Sequence, residues 1–486
     1  MASSSVFFTL FTFFSLFLLS SYAETLVFPL THSFSKTQYN STHHLLKSTS
    51  ARSATRLHHH RHPHRQVSLP LTPGSDYTLS FSLGSQTISL YMDTGSDVVW
   101  LPCHPFDCIL CEGKYNPSTI PNPGPLNLTS AVPVTCKSRS CSAVHSSMSS
   151  SNLCAMAKCP LEDIEISDCK SYTCPPFYYA YGDGSFIAKL YSDKLSIPTS
   201  SPSSLILHNF TFGCAHSALG EPIGVAGFGR GKLSLPAQLA INSPEIGNFF
   251  SYCLVSHSFD TTKVHKPSPL ILGRYSVDEK MKQMKDYEIG YAYTPMLENP
   301  KHPYFYCVGL EAVTIGKMKI PAPASLRRVD GRGNGGMVVD SGTTFTMLPH
   351  VFYETVVTEF DKQVGPVYKR VYPVEERTGL SPCYYLDKGS SNVPQLLLHF
   401  GGNSSVVMPK RNYFYEFLDG GDDGKLKRKV WCVMLMNGGV EEESGPAGLL
   451  GNYQQQGFEV VYDLEKKRVG FARRKCASLW DNLNQH

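Results

Sequence analysis

The chain has 486 residues, of which 42% are apolar and 17% are charged, and its formal net charge is +4. This length allows two or more domains with sizeable cores, and the ordinary composition argues against a disordered or coiled-coil protein. Basic residues form no sustained stripe beyond the first 70 residues, so we expect no nucleic-acid partner.

The first segment has the pattern of a secretory leader. An apolar run over 6–19 is followed by small residues before position 24. This arrangement is typical of a signal peptide over 1–23. A membrane anchor is the alternative, but Thr and Ser interrupt the run and it is short for a membrane span. No other apolar run reaches that length, so we expect a secreted protein without a stable membrane anchor.

Residues 24–70 are polar and include a basic, histidine-rich run over 58–65. We interpret this segment as a removable pro-segment whose positive charge covers an acidic cleft. A solvated linker and a histidine-rich metal site are the alternatives.

Short strands begin at residue 77, where apolar and polar residues alternate. A strand over 77–83, a turn and a strand over 87–92 lead into Asp93, and further strands are predicted at 204–214, 269–272, 307–315, 393–400 and 457–462. The best helix is predicted over 349–364, where Phe352, Val356, Val357 and Phe360 share one face. The pattern indicates a mainly β protein.

Nine of the 15 cysteines lie in an insert over 103–174 that is rich in Pro, Ser and Asn. The insert lacks apolar periodicity, so disulfides are expected to replace a core of its own. Because the count is odd, at least one cysteine is free or pairs outside the chain. Cys108 and Cys111 have the spacing of half a zinc site, but no second pair matches them, and we expect no metal.

Four sequons fit the same oxidising compartment and predict glycosylated surface loops at Asn40, Asn127, Asn209 and Asn403.

Two short stretches share the order Asp, hydroxyl, Gly, hydroxyl. They are Asp93-Thr94-Gly95-Ser96 and Asp340-Ser341-Gly342-Thr343, and each follows an apolar run. Such a strand delivers a carboxylate to its end, the Gly permits a tight turn, and the hydroxyls can bond the outer carboxylate oxygens. A single copy would be interpreted as an Asx turn.

The surroundings of the two stretches also match. Trp100-Leu101-Pro102 follows the first Asp at the same offset as Met347-Leu348-Pro349 follows the second. Each half then has two apolar residues before a Gly, over 224–227 and 448–451. The matched halves indicate a duplication that provides a pair of carboxylates.

With these motifs the sequence resembles the pepsin-like aspartic proteases (family A1) over residues 72–480. The resemblance implies a bilobal, mainly β fold with the active-site cleft between two related lobes, and catalytic roles for Asp93 and Asp340. It also implies that Tyr181 and Gly182 belong to a flap over the cleft, with Trp100 behind it. The lobes would cover 71–275 and 276–486.

Within the family, the insert and the stretch over 451–457 look like the plant nepenthesin-like group. That resemblance implies location in the cell wall or apoplast, or in the vacuole. It also implies bridges that join Cys111 to Cys174, Cys136 to Cys159, Cys141 to Cys154, Cys214 to Cys476 and Cys383 to Cys432, with Cys103 to Cys108 as a sixth candidate. Cys169, Cys253 and Cys307 are left over.

The implied activity is hydrolysis of polypeptides at acidic pH by a water molecule activated between the two carboxylates, in a monomer without a cofactor. We expect Ser96 and Thr343 to bond the outer carboxylate oxygens and Tyr181 to bond toward Trp100. The alternative is a catalytically silent inhibitor or binding protein of the same fold.

Overall fold

The computed structural model describes residues 26–32, 46, 49–50, 77–111, 125–159, 171–181, 184–198, 204–220, 223–256, 267–273, 290–385, 393–419, 428–439 and 445–483. Its strands are β1 (Leu26–His32), β2 (Tyr77–Leu83), β3 (Gln86–Asp93), β4 (Trp100–Ile109), β5 (Val132–Pro133), β6 (Phe177–Ala180), β7 (Ser185–Ile197), β8 (Leu205–Leu219), β9 (Val225–Gly227), β10 (Phe249–Cys253), β11 (Ser268–Leu272), β12 (Ala292–Leu297), β13 (Cys307–Val308), β14 (Leu310–Ile315), β15 (Met318–Pro321), β16 (Met337–Val339), β17 (Thr346–Leu348), β18 (Lys369–Arg370), β19 (Cys383–Tyr385), β20 (Leu396–Phe400), β21 (Ser404–Val407), β22 (Phe414–Asp419), β23 (Arg428–Val433), β24 (Leu435–Asn437), β25 (Gly448–Leu450), β26 (Phe458–Asp463) and β27 (Arg468–Arg473). Its helices are α1 (Arg139–Val144), α2 (Ser150–Met156), α3 (Leu235–Asn242), α4 (Pro244–Gly247), α5 (Ala324–Arg327), α6 (His350–Val364), α7 (Tyr372–Thr378), α8 (Lys410–Tyr413), α9 (Asn452–Gln455) and α10 (Cys476–Leu483). Within these ranges, the helices are too short or too polar to cross a membrane.

A six-stranded antiparallel sheet joins the two halves of the chain. Its order is β1, β11, β10, β26, β27, β12. The junction between the halves is the pairing of β10 with β26, from Phe249 opposite Asp463 to Cys253 opposite Glu459. Every residue of β10, β11 and β26 is buried. The sheet is therefore a shared layer beneath both halves, not the face of either one.

Each half repeats the same strand arrangement around an Asp turn. β3 ends at Asp93 and runs parallel to β9, with Asp93 opposite Gly227. β16 ends one residue before Asp340 and runs parallel to β25, with Val339 opposite Leu450. β4 pairs in parallel with β8 and antiparallel with β9, and β17 pairs in the same two ways with β24 and β25. The matched registers confirm the predicted mainly β, bilobal architecture.

The apolar patterns located most elements to within a few residues. The predicted helix is α6, whose buried residues include Phe352, Val356, Val357 and Phe360. The strand predicted over 307–315 is two strands, β13 and β14, which are interrupted at Gly309. A Cβ at Gly309 would lie 2.5 Å from the Arg327 carbonyl oxygen, so close backbone approach explains the break.

Part of the predicted pro-segment belongs to the core. β1 pairs with β11 from Leu26 to Leu30 and with β2 at Thr31 and His32. Leu46 is also buried. These residues do not fit a solvated linker, and removal of the segment would uncover the edge of β11. The pro-segment over 24–70 and the lobe boundaries 71–275 and 276–486 stay predictions, while 1–23 and 58–65 lie outside the described residues.

The disulfides differ from most of the implied pairs. The structure joins Cys103 to Cys214, Cys108 to Cys111, Cys136 to Cys154, Cys141 to Cys174, Cys253 to Cys476 and Cys383 to Cys432. Only the last pair agrees with the expectation. The implied pairs Cys111–Cys174, Cys136–Cys159, Cys141–Cys154, Cys214–Cys476 and Cys103–Cys108 are wrong. Cys159 is also in a bridge, and Cys169 lies outside the described residues.

Strand adjacency explains the observed pairing. β4 and β8 run side by side, which brings the Cα atoms of Cys103 and Cys214 to 5.5 Å. α10 packs on β11, next to β10, so its first residue, Cys476, reaches Cys253. Cys307 of β13 is buried and is the free cysteine of the described residues.

Three of the four sequons are described, and their Asn side chains are exposed. Asn127 and Asn403 lie in connections between strands, as predicted. Asn209 lies on β8 and not in a loop. Asn40 lies outside the described residues.

Candidate active site

The two Asp turns close on their own carboxylates in the same way. The backbone N–H of Gly95 donates to Asp93 Oδ1 at 2.8 Å, and that of Gly342 donates to Asp340 Oδ1 at 2.8 Å. Asp93 is 2% exposed and Asp340 is 5% exposed. Both carboxyl groups are therefore oriented by a backbone donor two residues further along the chain.

Four crossed hydrogen bonds connect the two turns. Thr94 Oγ1 accepts from the N–H of Ser341 at 2.9 Å and donates to the Val339 carbonyl at 2.9 Å. Ser341 Oγ accepts from the N–H of Thr94 at 3.0 Å and donates to the Met92 carbonyl at 3.0 Å. Each hydroxyl thus satisfies one donor and one acceptor of the opposite turn, which fixes the turns relative to each other.

Gly95 shows how closely the turns meet. A Cβ at this position would lie 2.8 Å from Asp340 Oδ1 and 3.0 Å from Oδ2. Only a residue without a side chain fits against this carboxylate. The Asp93 carboxylate accepts a hydrogen bond from the N–H of the same Gly95. The carboxylates of Asp93 and Asp340 therefore lie on two sides of one small space, as the sequence duplication predicted.

The hydroxyls after the two glycines behave differently. Thr343 Oγ1 donates to Asp340 Oδ2 at 2.5 Å, the contact expected from the sequence. Ser96 Oγ is buried and makes no hydrogen bond among the described residues. The expected bond from Ser96 to Asp93 is thus not made here, and the two hydroxyls differ although their places in the sequence are equivalent.

The apolar-apolar-Gly elements lie directly behind the turns. A Cβ at Gly227 would be 2.6 Å from the backbone nitrogen of Val98, and one at Gly451 would be 2.4 Å from the carbonyl oxygen of Thr344. Both glycines allow a strand to pack against the chain that follows an Asp turn. This explains the repeated position of Gly in the two halves.

Buried amides brace the second turn, and the sequence reasoning did not assign them this role. Asn452 Nδ2 donates to the Ser341 carbonyl at 2.9 Å, and Gln455 Nε2 donates to the Asp340 carbonyl at 3.2 Å. Tyr252 donates to Gln455 Oε1 and its hydroxyl lies 2.9 Å from that of Tyr462. The sequence signal for this role was the run of Asn and Gln residues that follows the second apolar-apolar-Gly element.

These tyrosines stay neutral beneath the carboxylates. Burial, followed by the neighbouring Tyr462, raises the pKa of Tyr252 well above its ordinary value. Burial likewise raises the pKa of Tyr462. The layer under the two turns therefore presents uncharged hydroxyl groups at acidic and neutral pH.

The aromatic lid, formed by Trp100, Tyr181 and Phe186, lies on the first half of the chain. Trp100 Nε1 donates to Tyr181 Oη at 2.6 Å, the contact expected between these residues. Phe186 on β7 stacks on Trp100 with ring centroids 4.2 Å apart. The hairpin of β6 and β7 thus rests on the strand that follows the first Asp turn. Gly182 lies outside the described residues.

A second contact between the hairpin and the segment after the first Asp turn was not anticipated. Tyr179 donates to Asp97 Oδ1 at 3.0 Å. Burial raises the pKa of the Asp97 carboxyl, while the Tyr179 hydrogen bond opposes that rise. Burial and the charge of Asp97 raise the pKa of Tyr179 well above its ordinary value, so its hydroxyl remains a donor. The sequence signal was an acid and a tyrosine near the ends of two recognised motifs.

Among the described residues, the group with metal-ligand spacing is Cys141, His145 and Cys174, within 4.8 Å of one another. Cys141 and Cys174 are joined in a disulfide, so neither offers a thiolate.

Two β lobes that each contribute an Asp turn to one centre define the class of pepsin-like aspartic proteases. Family models described as xylanase inhibitor N-terminal and C-terminal match residues 77–274 and 305–473. A probable aspartyl protease of Arabidopsis thaliana is 58% identical over 96% of this chain and 96% of its own length.

One further relative supports the family, and one solved structure shares the fold. Nepenthesin-1, an aspartic proteinase of Nepenthes gracilis, is 30% identical over 83% of this chain and 78% of its own length. The crystal structure of conglutin gamma, a basic 7S globulin from lupine seeds, superposes with a TM-score of 0.60 at 18% identity, covering 92% of this chain and 95% of that one. The chain belongs to the plant nepenthesin-like group of the pepsin-like aspartic protease family.

Proposed function

We propose that the protein is a secreted aspartic endopeptidase that hydrolyses polypeptides at acidic pH. The observation that best supports this proposal is that Thr94 and Ser341 hydrogen-bond to each other's turns, with Gly95 packed against the Asp340 carboxylate. Two carboxyl groups held this close do not both ionise at low cost, so one keeps a proton while the other is charged, as is established for aspartic proteases.

In the proposed reaction the charged carboxylate takes a proton from a water molecule, and the oxygen of that water attacks the peptide carbonyl carbon. The protonated carboxyl donates to the carbonyl oxygen, and a tetrahedral diol forms. The amide nitrogen then accepts a proton and leaves as the C–N bond breaks. The position of the shared proton belongs to the pair, not to Asp93 or Asp340 alone.

The hairpin that carries Tyr181 would close over the bound polypeptide and exclude water. The hydrogen bond from Trp100 to the Tyr181 hydroxyl would hold the hairpin in that position. Apolar residues on both sides of the cleaved bond are the preference that the resemblance to this family implies.

The test uses the processed protein with a denatured protein substrate between about pH 2 and 6. Asp93→Asn and Asp340→Asn should each lower kcat/KM by several orders of magnitude. Asp107→Asn, which removes an exposed carboxylate on β4, should leave it unchanged. A statine peptide, which mimics the tetrahedral diol, should inhibit the wild type. Absence of cleavage by the wild type would contradict the proposal.

We also propose that residues 1–23 are removed on secretion, that the mature enzyme is a monomer, and that it works in the cell wall or apoplast or in the vacuole. Activation would require cleavage near residue 70, after which β1 leaves the sheet or remains bound as a separate peptide. Mass spectrometry of the native protein would identify its first residue and any glycan on Asn127, Asn209 or Asn403.

A catalytically silent inhibitor or binding protein is the second candidate, and one observation favours it. The family models that match this chain are described by their xylanase inhibitor members. The retention of Asp93, Asp340 and Tyr181 favours the enzyme. A wild type that binds a statine peptide without cleaving any substrate would support the second candidate.

A further inference from the structure

Two hydrogen bonds run side by side between the catalytic segment and the hairpin of β6 and β7. Trp100 donates to Tyr181 at 2.6 Å, and Tyr179 donates to Asp97 at 3.0 Å. Asp97 and Trp100 are three residues apart on one segment, and Tyr179 and Tyr181 are two residues apart on the other. Both bonds therefore join the same two pieces of backbone, a short distance from each other.

The Asp97 carboxylate is held firmly at its own end. A Cβ at Gly231 would lie 2.1 Å from Asp97 Oδ2, so the carboxylate rests directly against this backbone. The neighbouring Gly229 donates its N–H to the Ser96 carbonyl at 2.7 Å, and Arg230 donates its N–H to the Tyr304 carbonyl at 2.8 Å. Asp97 thus lies where the first Asp turn meets a segment that is tied to the second lobe.

Tyr179 is coupled to the aromatic cluster of the hairpin. Its ring stacks on Phe186 of the paired strand, with centroids 5.7 Å apart, and lies 5.1 Å from the Tyr181 ring. Phe186 in turn stacks on Trp100. A shift of Tyr179 would therefore also shift the rings of Phe186 and Tyr181, which it contacts, and would move the Tyr181 hydroxyl with them.

β7 is paired with β8 along its length, whereas among the described strands β6 pairs with β7 alone. The two side-chain bonds therefore join the outer strand of the hairpin and the residue that follows it to the segment after the first Asp turn. We propose that Asp97 and Tyr179 are positioning residues that form a second tether, which returns the flap to one orientation over the two catalytic carboxylates. This inference rests on the proposed function, because the tether matters for catalysis only if the flap closes over a substrate.

The experiment compares Tyr179→Phe with Tyr178→Phe in the full chain. Both remove one hydroxyl from β6, but Tyr178 is 66% exposed and, as the next residue along the strand, lies on the opposite face of β6 from Tyr179. Amide hydrogen exchange over 177–181 and 184–187 should become roughly tenfold faster in Tyr179→Phe, as expected for loss of one buried hydrogen bond. Exchange in Tyr178→Phe should match the wild type. Equal exchange in all three proteins would overturn the proposal.

Kinetics on the processed enzyme provide a readout that a purely structural contact would not change. Tyr179→Phe should lower kcat/KM by roughly tenfold, with kcat reduced and KM raised, because the flap is less often in its productive orientation. Asp97→Asn keeps an acceptor oxygen for the Tyr179 hydroxyl, so its loss should be smaller than that of Tyr179→Phe. An active wild type with unchanged kcat and KM in Tyr179→Phe would overturn the catalytic role of the tether.

A double-mutant cycle tests whether the Tyr179–Asp97 bond and the Trp100–Tyr181 bond act on the same flap. If both bonds orient the same flap, Tyr179→Phe should cost less in a Tyr181→Phe background than in the wild type. Additive losses would show that the two bonds act independently and would count against the proposal. If the wild type cleaves nothing, the proposed function fails, while the exchange comparison still decides whether the tether exists.

Discussion

Thr94→Val should destabilise the protein, because it removes a hydroxyl that joins the two Asp turns. Valine has nearly the shape of threonine but lacks its hydroxyl, and Thr94 is completely buried. The substitution removes the acceptor of the Ser341 N–H and the donor to the Val339 carbonyl. Each buried polar group left without a partner costs about 1–3 kcal/mol, so the two together cost about 2–6 kcal/mol.

Urea unfolding followed by tryptophan fluorescence measures this loss. Thr87→Val is the matched control, because Thr87 is exposed on β3, the strand that leads into this turn, and its hydroxyl is 3.5 Å from that of Ser82. The control should change the free energy of unfolding by less than about 0.5 kcal/mol. Ser341→Ala should cost a similar amount to Thr94→Val, and the double variant should cost less than the sum, because the residues share one network. A loss in Thr94→Val no larger than in Thr87→Val would refute the reasoning.

Three further outcomes are expected. Gly95→Ala should lower kcat at least tenfold, because its Cβ would displace the Asp340 carboxylate, whereas Gly331→Ala, with nothing within 4 Å of the added Cβ, should not. Burial raises the pKa of the Cys307 thiol to about 12, so the native protein should not react there with Ellman's reagent at pH 8, and unfolding should make it reactive; labelling of the native thiol would contradict the assigned burial. A non-reducing peptide map should recover Cys103 with Cys214 and Cys253 with Cys476, and a peptide that joins Cys214 to Cys476 would show that the strand adjacency is misassigned.

The two Asp turns of the candidate site could be predicted from the sequence because their signals are local. An apolar run before Asp93 and another before Asp340 predict two buried strands that end in carboxylates, and Gly after each Asp predicts a tight turn. The same offset to Trp100 and Met347 revealed the duplication. These features depend only on side-chain alternation and backbone freedom within about ten residues.

Contacts between distant segments were less accessible. Five of the six implied cysteine pairs were wrong, because pairing follows which strands are neighbours, and neither β4 beside β8 nor α10 beside β10 can be deduced from spacing. The different environments of Ser96 and Thr343 were also missed, since the two hydroxyls occupy equivalent places in the sequence. So was the bond between Tyr179 and Asp97, which joins residues 82 positions apart.

By itself, the sequence determined a mainly β chain with two related halves, a buried carboxylate in each and an aromatic lid. These features follow from the alternation of apolar and polar residues and from the repeated turns, which are patterns among residues close together in the chain. The tertiary structure decided that Thr94 and Ser341 interlock the turns, that Gly95 lies against Asp340, and that Leu26–His32 enters the shared sheet. These contacts join residues far apart in the chain. They exist only after the two halves have packed on the common sheet, and so no local pattern specifies them.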